Sequence, residues 1–312
     1  MGGPARVDTT RRSRCRVEAF NGVVMRMALL VLALGRASGS FGGGCGVGPP
    51  WPTGSAWMNT VQKWIRDQLV DHGRKLFDAP RERVRFTEND EADSLLNDLD
   101  QFPHAFVLAC LMGRQMRREK ACLIPYRFQQ KLDGDFSIGR LAALSADDVR
   151  ELMSKPEPLH RFLNVMSVVF HAAVCRIVDH YEGDASRIWK GRPSSAEVVH
   201  RFREFEGVGP KIASAAANCL ARDLKVPFAD YRSIDVSADV HVRRVFGRLG
   251  LTGPDPTVDR CITWAREHNP EFPGLLDFAP WDVGRKWCRP ANAQCECCYM
   301  RNGCPAAKTG TE

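Results

Sequence analysis

Four cysteines near the C-terminus, Cys288, Cys295, Cys298 and Cys304, follow the pattern C-x6-C-x2-C-x5-C. Four thiolates in one short loop can wrap a compact iron–sulfur cube. Zinc is the rival ligand, but structural zinc usually pairs two close C-x2–4-C knuckles and only one such pair occurs. Disulfides are the third choice. Of the twelve cysteines in the chain, five fall in this loop once Cys297 is counted. Cys298 fits the spacing better than its neighbour, which leaves Cys297 as a spare thiol. Cys110, Cys175, Cys219 and Cys261 stand singly in apolar helical patterns, as buried free thiols do. Dense local thiols beside reduced singletons suit a reducing compartment and a metal site.

A second constellation lies upstream. Phe205-Glu-Gly-Val-Gly-Pro-Lys-Ile-Ala213 separates two amphipathic segments. Gly207 and Gly209 flank Val208, allowing backbone conformations closed to other residues. Pro210 suits a first helical position, where a missing N–H costs nothing. The second helix then offers unsatisfied amides and its dipole to a phosphate, although Gly-x-Gly alone also makes ordinary helix connections. Lys211 stands at this helix start, where the dipole disfavours an ammonium ion, and a free lysine amine is suited to Schiff base chemistry. An isolated lysine there would more commonly just touch phosphate. Further on, Ser237-Ala-Asp-Val-His241 begins another helix. Ser237 is the candidate N-cap and Asp239 a first-turn carboxylate able to stabilise developing positive charge and move protons. Helix-end charge complementarity is the plainer role for Asp239, and Asp230 and Asp235 are its rivals.

The elements that must position these groups are helical. Apolar residues recur at helical spacing in Val61 to Val70, from Phe106 to Met112, from Phe162 to Ile177, and in segments 195–205, 211–221, 237–249 and 258–268. Ser145 is expected to cap a short helix through the Asp147-Asp148 turn, and Glu88 to Asp100 reads as an acidic loop. No repeat or strand alternation is found, so the fold class is all-α. The formal charge is +7, but residues 1–57 hold seven arginines against Asp8 and Glu18 and supply most of it. Net charge is therefore weak evidence for nucleic acid binding, and any basic face must be local. Arg285, Lys286, Arg289 and Arg301 around the cysteine loop are such a group. Residues 1–57 read as a non-structural leader or an over-extended start, with translation expected at Met58. Their eight-residue apolar run is too short to span a bilayer, although its Arg-rich flanks also fit a targeting peptide.

Taken in order, these motifs resemble the endonuclease III-like family of helix-hairpin-helix (HhH-GPD) DNA glycosylases over roughly Phe102 to Pro305. Gly-Val-Gly-Pro-Lys matches the family hairpin, Asp239 in Ala-Asp-Val-His-Val falls on its catalytic aspartate, and the four-cysteine spacing matches its cluster loop. The resemblance implies a 4Fe-4S cluster on Cys288, Cys295, Cys298 and Cys304. It also implies a two-lobed fold, with a helical barrel at 103–236, a discontinuous cluster domain at 58–102 plus 237–305, and a tail at 306–312. The implied activity is base excision repair, in which Lys211 releases a damaged base through a Schiff base and nicks the strand by β-elimination while Asp239 assists. DNA contacts are implied for Gly207, Val208, Gly209 and His241, for Gln115 inserted into the duplex gap, and for Leu159 as a wedge. A monofunctional glycosylase for adenine mismatches or alkylated bases is the alternative, as is a non-catalytic iron–sulfur DNA-binding protein. The expected partner is double-stranded DNA with a damaged base or abasic site. The enzyme is expected to be an intracellular monomer with no membrane association, placed in a bacterial cytoplasm, with organelle targeting by residues 1–57 the other possibility. The connection between Lys211 and Asp239 is longer than usual for the family, and the lesion is left unnamed.

Overall fold

The computed structural model describes residues 55–309, and the expectations for the leader lie outside them. The described chain is helical throughout, with no strand among the described residues. In order the helices are α1 (Ser55–Asp78), α2 (Asp90–Asn97), α3 (Pro103–Leu111), α4 (Arg118–Lys131), α5 (Ile138–Ala142) and α6 (Ala146–Ser154). They continue with α7 (Leu163–Tyr181), α8 (Ser195–Arg203), α9 (Pro210–Arg222), α10 (Val240–Arg248), α11 (Val258–His268), α12 (Leu275–Lys286) and α13 (Pro305–Thr309). Among the described residues, none of these is long and apolar enough to cross a membrane.

Local chemistry sets many of the boundaries. Ser145 and Ser194 each accept from the amide three residues on, while Asp148 and Glu197 reach back to the cap amides. These reciprocal capping boxes satisfy donors that a helix start leaves open. The acidic stretch after Glu88 is not a loop. Asn89 caps α2 by accepting from Ala92 N–H at 2.7 Å, and Asp90, Glu91 and Asp93 in its first turn suit the positive end of the dipole. Two helices carry a proline inside, Pro125 in α4 and Pro280 in α12. Both are buried, and packing outweighs the lost backbone bond.

Two apolar cores result. The larger runs through α2 to α9, with Phe106, Phe128, Phe170, Phe202 and Phe228 among its buried residues. The smaller joins Ile65 and Leu69 of α1 to Val242, Val245 and Phe246 of α10, Cys261 of α11, Leu276 and Val283 of α12, and Met300. Phe86, Leu95 and Leu96 sit in the larger core. The segment around α2 therefore packs in the larger core rather than with the cysteine loop, because its apolar face meets α3 and α4.

Candidate active site and cysteine loop

The hairpin links α8 to α9 through residues 204–209. Gly207 has φ +78°, a conformation that needs glycine. Gly209 does not, since its backbone is extended at φ −86°, ψ 175°, and nothing lies within 4 Å of where a Cβ would stand. Its value is open space for a ligand rather than conformational freedom. Val208 is buried, with its N–H donating to Phe205 O at 3.2 Å, so its side chain anchors the hairpin. Pro210 occupies the first turn as expected, and no side chain caps α9. The amides of Lys211 and Ile212 are left for an outside acceptor. Lys211 is exposed, and among the described residues it has no hydrogen-bond or ion-pair partner.

Asp239, not Ser237, is the N-cap of α10. Its Oδ1 accepts from the amides of His241 at 2.8 Å and Val242 at 2.9 Å. No described residue occupies Oδ2, which is left for an external partner. Ser237 is drawn away by Asp277, which accepts from its amide and its hydroxyl. The rival aspartates are engaged elsewhere. Asp235 forms a two-point pair with Arg266 at 2.7 Å, and Asp230 accepts from Ser195 Oγ at 2.6 Å and from Arg232 N–H. Lys211 and Asp239 make no direct contact in this structure; α12 joins the helices that bear them. Asn218 of α9 donates to Gly274 O at 3.1 Å, and Asp277 on the next turn holds Ser237.

His241 is half-buried between α10 and α12. Its Nδ1 lies 3.0 Å from Arg244 Nη2, and a Cβ on Gly284 would stand only 2.8 Å from its own Cβ. Gln115 is exposed at φ +51° and lines a cavity with Arg114, Phe162, Val165 and Met166. Leu159, the expected wedge, lies in the loop between α6 and α7. It is buried, with its amide bonded to Met153 O at 2.8 Å, because packing in the larger core holds it inward. Val165 of α7 is 51% exposed and lines the same cavity as Gln115.

Cys288, Cys295, Cys298 and Cys304 line one cavity, whose other walls include Val245, Leu249, Val283 and Met300. All four are free thiols and partly buried. Among the described residues, no three His, Cys, Asp or Glu side chains are grouped as ligands of one metal ion. Burial, with the like charges of Cys288, Cys304 and Cys295, pushes the Cys298 thiol up to about 11 against a backbone hydrogen bond at Met300. Of the single cysteines, Cys219 and Cys261 are buried as expected, Cys110 is half-buried and Cys175 is exposed.

Two arginines that the motifs did not single out hold this loop. Arg244 donates to Cys288 O at 2.7 Å and Gly284 O at 2.9 Å. Arg248 donates to Arg289 O at 2.6 Å, Pro290 O at 2.9 Å and Cys288 Sγ at 3.4 Å. They stand four residues apart on α10 and so share a face, the only sequence signal that could have found them. On the opposite side the loop docks on α1. Tyr299 Oη lies 2.8 Å from His72 Nδ1, and a Cβ on Gly303 would meet the Trp64 ring at 2.5 Å. The basic rim is weaker than its composition implies, because Lys286 pairs with Asp282, Arg301 with Glu296 and Arg285 approaches Glu119.

No protein-family model matches the sequence, and no curated protein is significantly similar to it. Solved structures are similar in fold. A trapped endonuclease III–DNA covalent intermediate superposes with a TM-score of 0.52 at 18% identity, over 79% of this chain and 97% of that one. A non-covalent endonuclease III–DNA complex gives 0.51 at 18% identity, over 80% and 97%. A thermostable thymine-DNA glycosylase gives 0.52 at 11% identity, over 80% and 98%. These likenesses span nearly the whole of each known structure, and they show that the chain has the all-α fold of the endonuclease III structures.

Proposed function

We propose that the protein is a base excision DNA glycosylase with abasic-site lyase activity, acting as a monomer on double-stranded DNA. The observation that carries this reading is Lys211: an exposed, unpartnered amine on the first turn of an uncapped helix, directly after the hairpin of a glycosylase fold. A damaged nucleotide leaves the stack at a cost of a few kcal/mol, smallest for a damaged pair. The Lys211 amine attacks C1′ of the sugar as the bond to the base breaks, and the base departs with the electron pair and takes up a proton. A proton then passes from the nitrogen to O4′ as the C1′–O4′ bond breaks and the sugar ring opens, leaving an iminium between the nitrogen and C1′. Removal of a C2′ proton expels the 3′ phosphate and nicks the strand. Asp239, with Oδ2 free, stabilises the cationic sugar and moves protons. The open space at Gly209 and the uncapped amides of α9 suit a backbone phosphate. Gln115 and the exposed Val165 suit the gap left by the flipped nucleotide.

Four thiols around one cavity fit a 4Fe-4S cluster held by Cys288, Cys295, Cys298 and Cys304. When bound, the cluster supplies cross-linking that orders the loop. Arg244, Arg248 and the α1 contacts hold that loop from both sides.

The test is borohydride trapping on duplex DNA containing an abasic site. A covalent adduct with wild type that Lys211→Ala abolishes is expected. No adduct from protein that binds the DNA and still releases a base would make the enzyme monofunctional. Binding without either reaction would leave a non-catalytic DNA-binding protein. Iron and sulfide at four each per chain, lost in Cys298→Ser, is the expected outcome for the cluster.

A further inference from the structure

Asp277 has no part in the reaction above, yet it grips the corner from which Asp239 projects. Its Oδ1 accepts the Ser237 amide at 3.0 Å and its Oδ2 accepts the Ser237 hydroxyl at 2.8 Å. The next residue, Ala238, is buried at φ +43°, a conformation that L side chains rarely adopt. Asp239 follows as the N-cap of α10, so a strained residue lies between two doubly hydrogen-bonded ones. Strain of this kind persists only where the surroundings over-determine it.

The grip is itself anchored. Asp277 lies in the first turn of α12, whose N-cap, Gly274, donates to Ile234 O at 2.7 Å and accepts from Asn218 Nδ2 at 3.1 Å. A Cβ on Gly274 would stand 2.7 Å from Ile234 Cγ2 and 3.0 Å from that amide, so the contact depends on glycine. Asn218 sits two turns along α9 from Lys211. An unbroken chain of contacts thus runs from the helix of Lys211 through Gly274, Asp277 and Ser237 to Asp239.

We propose that Asp277 is a positioning residue, fixing Asp239 relative to the helix that carries Lys211. The inference rests on the proposed function insofar as Asp239 is the reacting carboxylate. The groups facing Asp277 agree with a close carboxylate pair: burial and the charge of Asp239 push its carboxyl up, to about 6, while the Ser237 hydrogen bonds and Arg222 oppose them.

The experiment uses the full chain and two readouts, amide hydrogen exchange at His241 and Val242 and the trapping rate on abasic duplex at saturating DNA. Asp277→Ala is expected to speed exchange at both amides about tenfold and to lower the trapping rate about ten- to a hundredfold, with DNA affinity unchanged. Asp277→Asn is expected to recover most of both, since its amide can accept from Ser237 N–H and donate to Ser237 Oγ. In an Asp239→Asn background Asp277→Ala should add no further rate loss. Wild-type exchange and rate in Asp277→Ala would overturn the inference, as would an equal loss in the Asp239→Asn background, which marks a merely structural role. If wild type forms no adduct the functional reading fails, while the exchange readout still decides the positioning. Should Asp277→Ala not fold, Ser237→Ala, which removes only the hydroxyl bond, carries the same comparison with a smaller effect.

Discussion

The two corners that deliver Lys211 and Asp239 solve one geometric problem in opposite ways. Each places a candidate reacting group on a helix start through a residue in the left-handed region. At the hairpin that residue is Gly207, at φ +78°, where glycine adopts the conformation at little cost. Before α10 it is Ala238, at φ +43°, held by Asp277 on one side and by the Asp239 cap on the other. The hairpin is built from local chemistry and leaves its amine free. The second corner is built by tertiary contact and leaves one carboxylate oxygen free. Groups that must meet a mobile substrate thus stand on supports of different stiffness.

The largest effect that would break this comparison is chemical. Asp239→Asn keeps a side-chain oxygen for the His241 and Val242 amides, and asparagine is as good a cap as aspartate. The fold is therefore expected to survive with its melting temperature nearly unchanged, while the trapping rate falls about a hundredfold or more. An unchanged rate beside unchanged stability would mean that Asp239 is a cap and nothing else.

Next come the hairpin glycines, which the structure assigns different duties. Gly207→Ala has room, as the nearest atom, Val169 Cγ2, would stand 3.5 Å from the new Cβ. Its cost is conformational, about 1–2 kcal/mol of stability. Gly209→Ala meets an extended backbone and open space, so stability should hold or rise by about 0.4–1 kcal/mol. DNA binding should nonetheless weaken, because the methyl takes up room that a phosphate would use. Urea melts and a DNA titration on both variants separate the two duties. Equal behaviour of both variants in both assays would erase the distinction.

The titration of Asp277 gives a smaller effect with a definite sign. Its folded value of about 6 lies above the ordinary 3.8, so the fold binds this proton more tightly than the unfolded chain does. The stability it contributes is complete below 3.8 and lost as pH rises through about 6. By linkage the change is at most about 3 kcal/mol, less where water reaches the carboxyl. His72, His104 and His160, which burial holds below the usual histidine range, act in the opposite direction over neighbouring pH. The quantity to measure is thus the stability difference between wild type and Asp277→Asn from pH 5 to 8. It should move in favour of the variant as pH rises, and a flat difference would contradict the assignment.

What the sequence made legible follows the same division. The hairpin, the proline at the start of α9, the Ser145 cap and the cysteine spacing are local patterns, and each stands in the structure where residue chemistry puts it. Features set by distant partners were not legible. Ser237 looks like a cap until Asp277, forty residues on, takes its hydroxyl. Leu159 looks available until the core covers it, and α4 and α12 are masked by internal prolines that packing tolerates. Arg244 and Arg248 reach carbonyls of the cysteine loop 44 and 41 residues away, and carry no motif of their own.

The smallest predicted effect tests the strained corner most directly. Ala238→Gly removes the left-handed penalty of about 1–2 kcal/mol. It also loses a buried methyl worth about 0.8 kcal/mol and adds freedom to the unfolded chain worth about 0.4–1 kcal/mol. These contributions nearly cancel, so net stability should stay within about 1 kcal/mol of wild type, although Ala238 is only 2% exposed. A β-branched residue such as valine at the same place cannot relax this way and is expected to be clearly destabilising. A loss above about 2 kcal/mol in Ala238→Gly would mean that the methyl is held by packing and not by a strained backbone. A near-zero change, with valine costly, would establish that Asp277 and the Asp239 cap hold Ala238 where its own preference would not take it.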